Sequence, residues 1–206
     1  MKTRQSGMPS EEMWQGFFDP TTTLRKLGLT EDCECVVDFG CGYGTFSLPA
    51  ATIVRGTVHA IDIDPNMVAA MQWKSQGFPN IHVTLRDFVE SGCGLKDASA
   101  DYVMLFNILH AEESAALLNE AMRVLKDGGR LAVMHWNYDA ATPRGPSMDI
   151  RLRPESCLEL VANAGFMVGP LIDLPPYHYG FISRSARFST ESVRSSATPS
   201  SALPLR

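Results

Sequence analysis

The sequence predicts a doubly wound α/β domain with a seven-stranded, mostly parallel sheet, helices on both faces and an antiparallel last strand. Two observations carry this prediction. Short apolar runs alternate with amphipathic, helix-like stretches along most of the 206 residues. One run, at 102–106, is apolar throughout, which is typical of a strand that is buried on both faces of a parallel sheet.

The predicted elements follow one another in a regular order. Two short helices near 10–18 and 20–27 open the chain, and the second has Asp19-Pro20 at its start and Gly28 at its end. Strands are predicted at 35–39, 58–63, 81–85, 102–106 and 131–134, with a final antiparallel pair at 166–172 and 179–183. Helices are predicted after the first strand, at 65–76, at about 118–128 (ending at Gly128-Gly129) and at 154–164.

Composition excludes several classes of protein. Hydrophobic residues make up 45% of the chain and charged residues 20%, as in an ordinary globular domain. The net charge of −5 and the lack of a basic stripe argue against a nucleic-acid partner. No apolar run approaches the roughly 20 residues of a membrane span, and no signal-peptide core is present, so we expect a cytoplasmic protein. The five cysteines match no metal framework and predict reduced thiols without a metal.

The chain is expected to divide into three parts. Residues 1–30 form an N-terminal helical lid, residues 31–188 form the α/β domain, and residues 189–206 form a disordered tail. Ten of the eighteen residues of this tail are serine, threonine or proline, which cannot bury enough surface to offset the entropy of ordering.

A glycine-rich loop follows the first predicted strand. Gly40, Gly42 and Gly44 stand at alternate positions, which allows a tight turn and a close approach of the backbone to a ligand. Asp38 precedes them, and Asp62 ends the second strand 24 residues later. An acid at this second position can accept hydrogen bonds from both hydroxyls of a ribose, so the pattern predicts a nucleoside cofactor.

Two cofactors compete for this loop. A dinucleotide fingerprint needs G-x-G-x-x-G, but Thr45 occupies the third glycine position. The carboxylate of Asp38 would repel a pyrophosphate, whereas it suits a ligand with an ammonium group. S-adenosylmethionine carries an ammonium, a sulfonium and a ribose but no phosphate, and is therefore favoured over NAD.

Five segments resemble a known family. VVDFGCGYGTFSLPAA (36–51) and AIDIDPNMV (60–68) are similar to the first two motifs of class I S-adenosylmethionine-dependent methyltransferases of the broad type 11 group. LRDFVE (85–90), DYVMLFNILH (101–110) and EAMRVLKDGGRLAVMHW (120–136) agree with the later motifs. The resemblance extends from about Val36 to Phe166 and implies a Rossmann-like fold with S-adenosylmethionine as cofactor.

The resemblance also implies roles for particular residues. Asp38 would hold the methionine ammonium, Asp62 the ribose, Asp87 the adenine amino group, and Asn107 would lie at the methionine end. A helix cap for Asp87 and a turn for Asn107 are the structural alternatives. The implied cofactor-binding set is Asp38, Gly40, Gly42, Gly44, Asp62, Ile63 (packed on adenine), Asp87, Phe88 (covering the ring) and Asn107.

The methyl acceptor is less well defined by the sequence. Transfer from a sulfonium is an in-line displacement in which positioning and exclusion of water supply most of the acceleration. His110 and His135 follow predicted strands and are candidate general bases, with structural histidines as the alternative. The predicted acceptor-binding residues are Trp14, Phe17, Trp136, Tyr177 and His178.

The sequence thus predicts S-adenosylmethionine-dependent methyl transfer to a small-molecule acceptor. The alternatives are a non-catalytic protein that binds S-adenosylmethionine or S-adenosylhomocysteine and, less favoured, an NAD-dependent oxidoreductase. DNA is disfavoured as acceptor because a leucine interrupts the D-P-P-Y-like segment at 173–177, and arsenite because no thiol pair follows the fifth strand.

Overall fold

The computed structural model describes residues 10–185, except for the side chain of Gln15. The tail predicted at 189–206 lies outside these residues. The described helices are α1 (Glu11–Gln15), α2 (Pro20–Lys26), α3 (Ser47–Ile53), α4 (Pro65–Lys74), α5 (Ser114–Val124) and α6 (Pro154–Asn163), with a 3₁₀ turn at Ser75–Gly77. The described strands are β1 (Cys35–Phe39), β2 (Thr57–Asp62), β3 (Ile81–Leu85), β4 (Ala100–Phe106), β5 (Leu125–Trp136), β6 (Phe166–Val168), β7 (Ile172–Leu174) and β8 (His178–Ser185).

The strands form a single sheet in the order β3-β2-β1-β4-β5-β8-β6, with β7 also paired to β8. Strands β1 to β5 are parallel and β8 is antiparallel to β5, which confirms the predicted fold class. The strand order reverses between β1 and β4, and ligands of doubly wound folds bind at the carboxyl ends of the strands beside such a reversal.

The sheet has eight strands instead of the predicted seven because one edge strand is interrupted. Both β6 and β7 pair antiparallel with β8, from Phe166 opposite Ser185 to Leu174 opposite His178. Between them only the Gly169 N–H reaches the partner strand, where it donates to Ile182 O at 2.9 Å. The residue that follows is a proline, which has no N–H for the ladder.

The end of α5 also differs from the prediction. The helix was expected to reach Gly128-Gly129, but it ends at Val124, and Leu125 already pairs with Ala100 of β4. The register then shifts before the main part of β5, and Gly128 adopts a φ of 74° within the shift. Leu125 continues the helical spacing of buried residues, yet strand pairing buries it equally well, so periodicity alone predicted the wrong element.

Two apolar layers cover the two faces of the sheet. Val133 belongs to the layer under α5 and α6, and its neighbour Met134 to the layer under α2 and α3, as the alternation of a strand requires. Leu24 and Leu27 of α2 are fully buried in the second layer, and the Tyr102 hydroxyl donates to Leu27 O at 2.9 Å. Helix α2 is therefore part of the core. Of the lid that was predicted at residues 1–30, only the residues before α2 stay a prediction.

Within residues 10–185, none of the helices has the length and apolar character needed to cross a bilayer.

Candidate active site

The glycine loop turns sharply between β1 and α3 and lies against the end of β2. Gly40, Gly42 and Gly44 have φ values of 78°, 50° and 80°, which residues with a Cβ rarely adopt. The Gly40 and Cys41 amides both donate to Ile61 O, at 2.8 and 3.1 Å. A Cβ on Gly44 would lie 2.2 Å from Met71 Sδ, so glycine at this position lets the loop pack against α4.

Asp38 is a buried carboxylate at the base of this loop. Its side chain is 4% exposed, and its Oδ2 accepts a hydrogen bond from Ser47 Oγ at 2.5 Å. Burial raises the pKa of Asp38 to about 7; the Ser47 hydrogen bond lowers it, and the nearby Asp62 charge raises it further. An adjacent cation would favour the ionised form, so the position is suited to an ammonium group.

Asp62 ends β2 and anchors the glycine loop. Its Oδ2 accepts from the Gly42 N–H at 2.8 Å, and its Oδ1 accepts from the Asp64 N–H at 2.9 Å. Burial raises the pKa of Asp62, and these backbone hydrogen bonds lower it. Each carboxylate oxygen can accept a second hydrogen bond, so Asp62 can hold the loop and bind a pair of hydroxyls at the same time. Ile63, which is half-buried, directly follows it.

The two residues that were assigned to the adenine ring lie in different environments. Asp87 Oδ1 accepts from the Val89 and Glu90 amides at 3.0 and 3.1 Å in a turn that follows β3, and its contact with adenine stays a prediction. Phe88 is 1% exposed, and its ring centroid lies 5.0 Å from that of Phe39. Phe88 is therefore a core residue in this structure and does not form the wall of a site, because it points into the layer under α5.

Asn107 follows β4 at the carboxyl edge of the sheet. It is one of two non-glycine residues with positive φ in the described chain, at 55°, and its N–H donates to Met134 O at 2.8 Å. Both polar atoms of its side-chain amide are buried without a hydrogen-bond partner among residues 10–185. An unsatisfied buried amide costs about 1–3 kcal/mol, so this strained residue is suited to binding a polar ligand.

The two histidines that were predicted as general bases lie in different environments. His135 is fully buried, and its Nε2 accepts the Leu109 N–H at 3.2 Å. Burial lowers the pKa of His135 to about 3, and His110 and His178 lower it further. Because its Nε2 lone pair is already engaged and it is buried, His135 is a structural histidine here, contrary to the prediction. The ring centroid of His110 lies 5.9 Å from that of His135. The role of His110 as a general base stays a prediction.

All five predicted acceptor residues meet in one aromatic cluster beside the glycine loop. Phe18 joins its two ends, with ring centroids 5.2 Å from Phe46 and 4.6 Å from His178. The cluster consists of Trp14, Phe17, Phe18, Phe46, Trp136, Tyr177 and His178. Phe18 and Phe46 were not predicted as acceptor-binding residues, although Phe18 is next to Phe17 and Phe46 lies two residues after Gly44.

His178 is buried within the aromatic cluster. Its side chain is 1% exposed, its ring centroid is 4.3 Å from that of Trp136, and its Nε2 has no hydrogen-bond partner among the described residues. Burial lowers the pKa of His178 to about 3, and the nearby Arg151 charge lowers it further, so the imidazole is neutral near pH 7. Trp136 and His178 are paired across β5 and β8, on the face opposite to His135.

Arg151 was not singled out in the sequence, and it holds together the loop that follows β5. Its guanidinium donates to Asn137 O at 3.2 Å, Asp139 O at 2.9 Å and Pro146 O at 2.8 Å. Thr142 Oγ1 accepts a further hydrogen bond at 2.6 Å. These partners are mostly backbone carbonyls within residues 137–146, and no sequence motif marks such contacts.

A sheet of this strand order, with a glycine loop flanked by two buried carboxylates, defines a domain that binds a nucleoside cofactor. Residues 36–129 match the model of a family described as a methyltransferase domain. A solved S-adenosylmethionine-dependent methyltransferase from Aquifex aeolicus superposes with a TM-score of 0.74 at 26% identity, over 81% of this chain and 89% of that one.

Curated proteins agree with this match. A ribosomal protein L11 methyltransferase of Cupriavidus taiwanensis is 34% identical over 123 residues, which cover 55% of this chain and 37% of that protein. A dimethylglycine N-methyltransferase of Parasynechococcus marenigrum is 35% identical over 105 residues, covering 46% and 35%. The chain spans about a third of the length of the curated relatives it matches.

Over residues 36–129 the chain matches a methyltransferase domain, its fold is similar to that of a class I S-adenosylmethionine-dependent methyltransferase, and these matches support S-adenosylmethionine as its cofactor. The residues present fit this molecule: Asp38 suits its ammonium, Asp62 has acceptor capacity for its ribose, and the Asn107 amide lacks a partner. The matches therefore favour S-adenosylmethionine over NAD as the cofactor.

Cofactor affinity is expected to fall with acidity because of Asp38. Below a pKa of about 7 this carboxyl is protonated in the free protein, and a neutral carboxyl binds an ammonium poorly. The dissociation constant for S-adenosylmethionine should therefore rise about twentyfold from about pH 7.5 to about pH 5.5, approaching tenfold per pH unit. Calorimetric titration across this range measures the effect.

Asp38→Asn is the matched control for this titration. The variant should bind weakly at every pH and show little pH dependence. If the variant kept the slope of the wild type, another group, such as Asp62 or a histidine, would be responsible.

Proposed function

We propose that the chain transfers a methyl group from S-adenosylmethionine to a small-molecule acceptor that binds against the aromatic cluster. When bound, the cofactor supplies a methyl group already activated on a sulfonium. Asp38 holds its ammonium, Asp62 its ribose hydroxyls and Asn107 the methionine end, while Ile63 and Asp87 lie on the adenine side. The two buried carboxylates and the unpartnered Asn107 amide support the roles of Asp38, Asp62 and Asn107, and the roles of Ile63 and Asp87 are those implied by the family resemblance.

The observation that carries the small-molecule acceptor is the position of His178. Its unpartnered Nε2 lies beneath Phe18 and beside Trp136, and the side chain is almost inaccessible. A polar atom in an apolar, enclosed setting suits a compact ligand with one hydrogen-bonding group. A protein acceptor, as the name of the L11 methyltransferases describes, would have to reach this atom past the N-terminal residues of the chain itself.

The remaining chemistry depends on the acceptor. The neutral imidazole of His178 can donate or accept one hydrogen bond and so orient the acceptor atom. Exclusion of water by Trp14, Phe17 and Phe18 favours the in-line displacement, because positioning and a dry site supply most of the acceleration. An acceptor that must lose a proton would need a base, for which His110 is the candidate.

Methyl-labelled S-adenosylmethionine distinguishes the classes of acceptor. We expect label to enter a deproteinised metabolite extract and not purified ribosomal protein L11. Label in L11 alone would overturn the small-molecule proposal. Tight binding of S-adenosylmethionine without transfer to either pool would favour the non-catalytic alternative.

His178→Gln tests the role of the aromatic cluster. We expect the rate of transfer into the extract to fall about tenfold, the value of one hydrogen bond of roughly 1.4 kcal/mol, with the affinity for S-adenosylmethionine unchanged. His82→Gln, an equivalent change at an exposed position on β3, should leave both quantities unaltered. Equal rates for the two variants would place the acceptor elsewhere.

A further inference from the structure

One lysine side chain touches both the cofactor loop and the N-terminal helix. Lys74, the last residue of α4, donates from Nζ to Tyr43 O at 3.0 Å and forms an ion pair with Glu11 of α1. The same Nζ lies 5.5 Å from the centroid of the Tyr43 ring. The Lys74 side chain is mostly buried, so this ammonium is held at the junction of three segments.

On one side of this junction is the loop that binds the cofactor. Tyr43 lies between Gly42 and Gly44, whose positive φ values set the course of the loop. Asp62 holds the N–H of Gly42, and Lys74 holds the carbonyl of Tyr43. The Gly42 N–H is thus held by Asp62, which is assigned to the ribose, and the Tyr43 carbonyl is held by Lys74, which is bound to α1.

On the other side is the cover of the aromatic cluster. Glu11 begins α1, and Trp14 of the same helix contacts Phe18 and Trp136 with ring centroids 4.9 and 6.3 Å apart. A helix of five residues has no stability of its own in water, so its position depends on contacts with the rest of the protein. Glu11 and the ring of Trp14 supply such contacts at the two ends of α1.

We propose that Lys74 is a positioning residue that couples occupancy of the cofactor loop to closure of α1 over the aromatic cluster. A cofactor that orders the loop fixes the carbonyl oxygen of Tyr43. This carbonyl and the ring of Tyr43 orient the ammonium of Lys74. Lys74 then holds Glu11, and α1 with it, so that Trp14 stays over the aromatic cluster. The coupling rests on the proposed function in taking the aromatic cluster as the acceptor site. It would let the acceptor site close when a methyl donor is present.

Hydrogen–deuterium exchange tests the coupling without any acceptor. The probe is S-adenosylhomocysteine, and the readout is the exchange rate of a peptide spanning residues 10–18. In the wild type we expect the ligand to slow this exchange about fivefold, within the usual range of coupling between sites. In Lys74→Met the ligand should still bind, by calorimetry, but should no longer slow the exchange of this peptide.

A charge reversal separates attachment of α1 from coupling. The double variant Glu11→Lys/Lys74→Glu restores an ion pair, but a glutamate cannot donate to Tyr43 O. We expect α1 in this variant to exchange as in the ligand-free wild type and to be insensitive to S-adenosylhomocysteine. Lys74→Arg keeps a donor and should preserve the response in part.

Arg55→Met provides the matched control, because it breaks an ion pair with Glu31 whose side chains are 81% and 68% exposed and touch neither segment. It should behave as the wild type. A wild-type protein that binds S-adenosylhomocysteine without any change in α1, or a Lys74→Met variant with the full response, would overturn the coupling. Failure of the wild type to bind the ligand would instead contradict the proposed function.

Discussion

Replacement of Asp62 by alanine is expected to raise the dissociation constant for S-adenosylmethionine at least a hundredfold. Two hydrogen bonds between a carboxylate and the ribose hydroxyls would be lost, each worth roughly 1.5–3 kcal/mol, and about 2.7 kcal/mol already corresponds to a hundredfold. Calorimetric titration of the purified variant with S-adenosylmethionine and S-adenosylhomocysteine measures the change.

The structure adds a second effect to this prediction. Asp62 also accepts the Gly42 N–H, so alanine would leave a loop amide without its partner and lower the free energy of unfolding by about 1–3 kcal/mol. Asp62→Asn removes the negative charge and keeps one acceptor oxygen, which can serve the Gly42 amide but not the Asp64 amide as well. It should therefore recover part of the stability while the affinity stays well below that of the wild type.

Asp64 offers a matched control two residues away. Its Oδ1 caps α4 by accepting the Asn66 N–H at 2.8 Å, and asparagine caps helices as well as aspartate does. Asp64→Asn should leave both the affinity and the melting temperature nearly unchanged. Normal affinity in Asp62→Ala, or an equal loss in Asp64→Asn, would show that the ribose is bound elsewhere.

Gly44→Ala is expected to damage both stability and cofactor binding. Alanine at a φ of 80° costs about 1–2 kcal/mol, and pushing a Cβ against buried Met71 costs roughly another 1–3 kcal/mol. For a chain of this size the melting temperature should fall by roughly 5–15 °C. Affinity for S-adenosylmethionine should fall as well, because the loop must move away from α4 or distort.

Gly77→Ala is the control for this substitution. A Cβ at position 77 meets nothing within 4 Å, and its φ is outside the left-handed region. The melting temperature and the affinity should therefore change little, since the substitution adds neither a clash nor strain. If Gly44→Ala behaved like Gly77→Ala, the close packing of the loop on α4 would not matter.

Much of the cofactor site could be predicted because its signals are local. The glycine loop is visible as three alternate glycines, Gly40, Gly42 and Gly44, directly after an apolar strand. The acids at Asp38 and Asp62 are visible because each stands at the end of a run whose residues predict a strand. The parallel sheet and its antiparallel last strand followed from the alternation of predicted strands and helices. The parallel sheet and its antiparallel last strand are confirmed in the fold, except for the end of α5 and the interruption between β6 and β7, whereas the roles of the site residues stay predictions.

The environment of the histidines could not be predicted in the same way. His135 and His178 both stand at the end of a strand in the sequence, yet one accepts the Leu109 N–H in the core and the other keeps an unpartnered Nε2 among aromatic rings. Phe88 likewise carries no local sign that it packs on Phe39. Each outcome depends on which face of an element a residue occupies and on what packs there.

By itself, the sequence determined the order of the elements, the cofactor loop and the residues that suit an ammonium and a ribose, since these depend on short-range patterns. Only the tertiary structure decided which aromatic rings surround His178, that Asn107 has an unsatisfied amide, and that Lys74 links Glu11 to Tyr43. These contacts join residues far apart in the chain. Their partners are selected by the packing of whole elements, which no local pattern encodes.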